Sequence, residues 1–422
     1  MSRWESAVLD HLEQHTGQIV GAVSDLVRIP SIGGTDEENT VSARLRDELA
    51  ALELDVDHWE IPLADTLAAP DFPGVEVDRR EAWGLVGALR GRGDGPSLML
   101  NAHVDVVPPG DGHAWPRDPF DGAVTADAIH GRGACDMKGG LVAALWAVRA
   151  IRRVGVPLRG DLLFAAVQGE EDGGLGTYAT LARGWRADAC LIPEPTSLDV
   201  VPANGGSLTF RITVSGLAAH ASRRRRGVSA IEKFFPLFAA LRELEAERNR
   251  DPDPLMSRWD LAYPIEIGTV TSGDWSSTVP DLLVAEGRYG VQLGEDPEAA
   301  RAAFAAALAR AGAGDPWLAD HPPVLQWWGG QFAPGRTDVD ASIVRTLRGA
   351  HEAVSAHVQQ TYGAPYGSDL RLMTGIGGVP TVHYGPGDAA FAHAPSEHVP
   401  IGEVLTTART LALVALRHCG VA

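Results

Sequence analysis

Cysteine is scarce in this sequence. Cys135, Cys190 and Cys419 are the only three, they lie far apart, and no Cys-x-x-Cys pair occurs. That argues against a disulfide framework and against a cysteine–zinc module. Cations are short as well: 36 Lys and Arg against 55 Asp and Glu give a formal net charge of −19. Nucleic acid and anionic membrane surfaces need clustered positive charge, so both are disfavoured as partners. A small anionic substrate is not excluded, because a site can be basic on an acidic protein. No apolar run approaches the roughly 20 residues of a membrane span. The first stretch carries Glu5, Asp10 and Glu13 in place of a continuous apolar core, so it does not read as a signal peptide. A reducing cytoplasm is the expected compartment. No internal repeat or low-complexity tract is visible.

What is present is an ordinary globular composition. The 422 residues are 45% hydrophobic and 22% charged, with mean hydropathy −0.04. Such a length predicts two or three domains with cores that need neither disulfide nor metal to fold. Helical spacing of Val8, Leu12, Ile19, Val23, Leu26 and Val27 predicts one amphipathic helix, stopped at Pro30-Ser31-Ile32-Gly33-Gly34. A second helix is predicted over 37–52. Strands at 97–107, 161–168 and 187–192 then alternate with helices at 139–151 and 177–182. Near-continuous apolar strands between helices point to an α/β fold with a mostly parallel, helix-covered sheet.

The texture changes near Val201. Residues 208–214 alternate polar and apolar, 229–247 read as a helix, 265–271 and 282–293 alternate again, and 297–311 form an Ala-rich helix. The expected organisation is a catalytic domain in two parts, 1–202 and 319–422, interrupted by a smaller α+β insert over 203–318.

Chemistry-bearing residues collect at the predicted strand ends. His103 and Asp105 form a His-x-Asp at the end of an apolar strand, where side chains two apart share a side; alone, such a pair is usually incidental. Asp136 stands in the glycine-rich run Gly131-Arg132-Gly133-Ala134-Cys135-Asp136-Met137-Lys138-Gly139-Gly140, where the plain reading is a helix N-cap. Glu170, Glu171 and Asp172 follow a strand directly and repel one another unless screened; a solvated acidic turn is the plain alternative. Glu194 lies between two prolines at the next strand end. His393, in Ala392-His393-Ala394-Pro395-Ser396-Glu397-His398, reads alone as a loop histidine. Taken together, two histidines and four acids at strand ends suit a pair of divalent ions sharing one bridging carboxylate and one bridging water.

With those residues in place, the sequence resembles the acetylornithine deacetylase / succinyl-diaminopimelate desuccinylase group of co-catalytic zinc hydrolases. That group also includes aminoacylases and glutamate-releasing carboxypeptidases. The likeness runs from Arg28-Ile29-Pro30-Ser31 to His393 and rests on Asn-Ala-His103-Val-Asp105-Val-Val-Pro-Pro-Gly, Gly-Arg-Gly-x-x-Asp136-Met-Lys-Gly-Gly, Gly-Glu170-Glu171 and Glu194-Pro-Thr. The resemblance implies two Zn²⁺, replaceable by Co²⁺ or Mn²⁺. His103 and Glu194 would hold one, Glu171 and His393 the other, with Asp136 bridging. Glu170 would be the general base. Asp105 would hydrogen-bond the second ring nitrogen of His103. It further implies a ferredoxin-like insert that serves as lid and dimerisation domain. In Gly216-Leu217-Ala218-Ala219-His220, His220 would reach a partner subunit's site to stabilise the oxyanion, which requires a homodimer. Arg288 matches an arginine that grips a substrate carboxylate, and Arg371 is a second candidate; either could equally be an internal ion pair.

Two departures stand out. Ser277 precedes Thr278-Val279-Pro280 where relatives usually carry Asn, which leaves the usual acyl contact with a shorter donor. Arg223-Arg224-Arg225-Arg226 replaces a segment that often holds proline. It reads as a solvated basic turn, or as an attractor of anionic substrate. The expected activity is removal of an acyl group from an N-acyl amino acid or similar small amine, with acetylornithine-type deacetylation first. A dipeptidase or carboxypeptidase, a deformylase of an aminopyrimidine, and an inactive metal-binding homologue are the alternatives.

Overall fold

Strands buried along their whole length need partners on both sides and helices on both faces. Leu98–His103 and Leu162–Val167 are buried at every residue, and they pair in parallel at the centre of a large sheet. Ala189–Ile192 joins Leu98–His103 on its other edge, again parallel, and Thr381–His383 pairs in parallel with Ala189–Ile192. Outside this core, Trp83–Leu89 and Asp55–Glu60 extend one side antiparallel, and Val200–Asn204 continues the other. The computed structural model describes residues 1–422, which divide into two compact units.

The first unit comprises 1–203, 336–362 and 368–422. Helix Gly139–Val154 is buried along most of its length and packs against the C-terminal helix Ile401–Cys419. The single helix expected over the first stretch is instead two, Arg3–Gln14 and Thr16–Val27. The break falls at His15, whose Nδ1 lies 2.7 Å from the His11 carbonyl, so a ring nitrogen competes for a helix acceptor.

The second unit comprises 204–335 and 363–367. Its sheet is antiparallel in the order Ile265–Ser272, Leu282–Val291, Gly206–Ser215, Val324–Phe332. Helices Ala230–Arg248 and Pro297–Ala313 cover one face around Phe210, Leu237, Leu241, Tyr289 and Phe304. The chain order is strand–helix–strand–strand–helix–strand, the ferredoxin-like arrangement. The expected end of the insert at 318 is therefore too early. Val324–Phe332 lies beyond His321-Pro322-Pro323, yet it pairs with Gly206–Ser215 as the fourth strand. Pairing over more than a hundred residues leaves no trace in local periodicity.

Candidate metal centre

Parallel neighbours end on the same side of a sheet, and loops that follow them converge there. Leu98–His103 ends on His103 itself; Leu162–Val167 leads into Glu170 and Glu171, and Ala189–Ile192 into Glu194. Asp136 arrives from the glycine-rich run before helix Gly139–Val154. Its backbone is extended, φ −116° and ψ 95°, and the helix begins without a side-chain cap. The N-cap reading of Asp136 is thus replaced by a side chain turned to the cluster. His393 follows the short turn Ala389–Phe391, with φ 62°.

Asp136 faces both histidines. Its Oδ1 is 3.1 Å from His103 Nε2, and its Oδ2 is 3.6 Å from His393 Nε2. His393 Nε2 is also 3.1 Å from Glu171 Oε2, and His103 Nε2 is 3.8 Å from Glu194 Oε1. Ligand atoms of His103, Asp136 and Glu171 lie within 4.8 Å of one another, as do those of His103, Glu170 and Glu194.

The electrostatics ask for positive charge. Burial, with Asp369 and Glu194 nearby, pushes Glu170 well above the usual carboxylate range; burial and Asp136 do the same to Glu194. Glu171 moves up for similar reasons. Burial alone would lower His103, but its hydrogen bond with Asp136 and the charges of Glu194 and Asp105 carry it well above its ordinary value. His393 rises to about 9, chiefly through its hydrogen bond with Glu171. Buried carboxylates crowded against imidazole nitrogens, with nitrogen and oxygen donors aimed inward, are the donor set of a divalent cation. The residues fit the ions that the resemblance implies.

Asp105 departs from its expected role. His103 Nδ1 is 2.9 Å from the Asp105 backbone carbonyl, whereas the carboxylate stands 3.7 Å away. That carboxylate accepts instead from the backbone N–H groups of Glu170 and Glu171, at 3.3 and 3.2 Å. An N–H donated to a carbonyl still fixes the ring's tautomer, while the carboxylate fixes the acidic loop.

Of the two readings of Arg371, the structure favours the internal ion pair, with Nη1 3.8 Å from Asp369 Oδ1 and both side chains buried. Arg371 is 3% exposed, and its two terminal nitrogens donate to the carbonyls of Ser368 (2.8 Å) and Gly173 (2.7 Å). It braces the loop after Glu170-Glu171 instead of presenting to a ligand. Arg288 lies mid-strand in the insert with its guanidinium 5.8 Å from the Phe332 ring centroid.

Also in the insert, Ala219–His220 pairs with Thr278–Val279, which sets His220 opposite Thr278 and next to the exposed Ser277. His220 Nδ1 accepts from Ser222 N at 3.2 Å, so the neutral ring carries its proton on Nε2 as a donor. Arg224 pairs with Glu232 at 2.6 Å, both well exposed, as a solvated turn would.

Five residues with no role assigned from the sequence surround the cluster. Arg132 and Glu397 form an ion pair with both side chains buried, and Arg79 pairs with Glu38 and Asp172. Arg132 and Glu397 do stand inside the two motifs that carry Asp136 and His393, and that placement was their signal. Arg79 had none.

The family model for peptidase family M20/M25/M40 matches residues 99–417. Among curated proteins, an N-formyl-4-amino-5-aminomethyl-2-methylpyrimidine deformylase from Halalkalibacterium halodurans is 27% identical over 439 residues, covering 98% of this chain and 97% of that one. A succinyl-diaminopimelate desuccinylase from a Methylobacterium species is 36% identical over 227 residues, 51% of this chain and 53% of that one. Among solved structures, the Saccharomyces cerevisiae di-peptidase Dug1p superposes with a TM-score of 0.78 over 99% of each chain, at 13% identity. That last likeness is one of fold.

Proposed function

The chain belongs to peptidase family M20/M25/M40 and is a metal-dependent hydrolase of amide bonds, and we propose that it cleaves a small N-acylated amine with two divalent cations. The observation that carries this reading is Asp136, which turns one oxygen toward His103 and the other toward His393. His103 and Glu194 would hold one cation and Glu171 and His393 the other. Zinc, or cobalt or manganese in its place, supplies when bound a Lewis acid for the carbonyl and a lowered pKa for water.

The chain's own residues do the rest. Glu170 accepts a proton from the attacking water as the new C–O bond forms. It then delivers that proton to the amine nitrogen as the C–N bond breaks. Asp105 holds the Glu170 and Glu171 backbone in register. His220 of the partner subunit would donate Nε2–H to the carbonyl oxygen as negative charge develops there.

A homodimer through the insert is part of this reading. Ile231, Phe235 and Phe238 lie three and four residues apart on helix Ala230–Arg248 and are exposed, an apolar stripe that suits association. No helix is long and apolar enough to cross a membrane, and the three free cysteines are buried; both accord with the cytoplasmic placement we propose.

Formyl stands first among the acyl groups to test, because the relative matched end to end is named a deformylase. Acetyl and succinyl groups on amino acids come second, on the partial match to a desuccinylase. The test is metal analysis followed by a rate screen of N-formyl, N-acetyl and N-succinyl amines and dipeptides, each with Zn²⁺ and Co²⁺. Two cations per chain and turnover confined to one acyl class are expected. Metal-independent turnover would overturn the mechanism, and activity restricted to dipeptides would overturn the substrate class.

A further inference from the structure

The Arg132–Glu397 pair joins the two loops that present Asp136 and His393. Arg132 Nη1 donates to Glu397 Oε2 at 2.5 Å, with the side chains 2% and 0% exposed. The other terminal nitrogen of Arg132 donates to the backbone carbonyl of His393 at 3.1 Å. The other oxygen of Glu397 accepts from the backbone N–H groups of Cys135, at 3.0 Å, and Asp136, at 3.1 Å. The Glu397 carbonyl accepts from Gly131 N at 3.0 Å, which closes the ring of contacts. Trp115 covers the guanidinium, 5.1 Å from its ring centroid.

Two features set this pair apart from a surface ion pair. It is fully desolvated, so each partner leaves an uncompensated charge if the other is removed. It also grips backbone rather than side chains at both ends. His393 has a left-handed backbone, φ 62°, which a residue with a Cβ adopts uncommonly. Its side chain is about half exposed, so little packing holds the ring from outside. The Arg132 fork on its carbonyl supplies the restraint that packing lacks.

We propose that Arg132 and Glu397 are positioning residues that set the spacing between Asp136 and His393, and so the affinity for the cation that those two residues share with Glu171. This rests on the two-cation reading of the site. The cation on the side of His103 and Glu194 does not depend on the pair in the same way, because His103 is fixed by its own strand. Groups that orient metal ligands contribute about 10–100-fold to metal affinity. Arginine is required at 132 because a fork must reach a carboxylate and a carbonyl together, and an ammonium on a flexible stem does not hold both.

The test is stepwise Co²⁺ titration of the metal-free protein, read by calorimetry and by the visible cobalt spectrum, in wild type, Arg132→Lys, Glu397→Gln and His393→Ala. Wild type should bind two Co²⁺. Arg132→Lys and Glu397→Gln should each weaken one of the two steps about 10–100-fold, the same step that His393→Ala weakens, and weaken the other, which shares only Asp136 with it, by less. Thermal midpoints of the metal-free proteins separate this from a merely structural role. A lowered midpoint with both affinities intact overturns the proposal, as does loss of the fold in both variants, which would assign the pair to folding. Wild type that binds two Co²⁺ beside unchanged variants overturns the positioning role alone. Wild type that binds no second Co²⁺ overturns the two-cation reading itself.

Discussion

Glu170 is 7% exposed and lies among Glu194, Glu171 and Asp369, with Asp105 holding its backbone N–H. A carboxylate held there, beside the ligand cluster, is placed to take a proton from the attacking water and return it to the leaving amine, as a proton shuttle must. Glu170→Ala should therefore lower kcat by about 10²–10⁴-fold while the metal content measured by elemental analysis stays at the wild-type value. Substantial residual turnover would remove Glu170 from the mechanism. At this scale the candidate cluster was legible, because histidines and carboxylates gathered at the ends of apolar strands are costly to bury together without compensating positive charge. The role of Asp105 was only half legible. Two residues apart on one strand predicts proximity to His103, but which acceptor the ring uses depends on the backbone turn at Asp105 itself.

The elements set tolerances that no single residue announces. Gly140 opens helix Gly139–Val154, and a Cβ built there would lie 1.9 Å from the Pro193 carbonyl oxygen. The helix therefore approaches the Glu194 loop as closely as glycine allows. Gly140→Ala should destabilise the protein by about 1–3 kcal/mol, the usual cost of overpacking, and should weaken metal binding because Pro193 carries Glu194 with it. Gly21 is the control. It sits in helix Thr16–Val27, and a Cβ added there would meet nothing within 4 Å, so Gly21→Ala should be neutral or stabilising by up to about 1 kcal/mol. Urea unfolding of both variants, with Co²⁺ titration of the first, decides the point. Equal midpoints for the two would show that the helix can retreat from Pro193. Arg371 belongs to the same scale: a basic residue after Ser368-Asp369 reads equally as a ligand grip or an internal ion pair, and the closing of helix Leu370–Gly375 on Gly173 favours the second, with Asp369 3.8 Å away.

For the whole molecule, the decisive question is whether each site is completed by a second copy. If His220 acts in trans, Glu170→Ala and His220→Ala chains, each nearly inactive alone, should regain about a quarter of wild-type activity when unfolded together and refolded at equal amounts. Half of a random mixture is then mixed dimer, each with one intact site. No recovery, with mixed dimers verified by tagged copurification, would rule out action of His220 in trans. The net charge of −19 also reads differently at this scale. Asp105, Asp136, Glu170, Glu171 and Glu194 stand in or around one cluster, where two divalent cations would offset four negative charges.

What the sequence determined by itself was the chemistry and most of the architecture. Donor types and their places at strand ends specify a candidate cation site because few other structures tolerate so many buried charges. Apolar runs specify a central parallel sheet because both faces must be covered. What only the tertiary structure decided was long-range pairing: the fourth strand of the insert at Val324–Phe332, the buried partners Arg132 and Glu397 separated by 265 residues, and the turn of Asp136 away from a helix cap. Each of these depends on which distant backbone a residue meets, and local sequence pattern carries no record of that meeting.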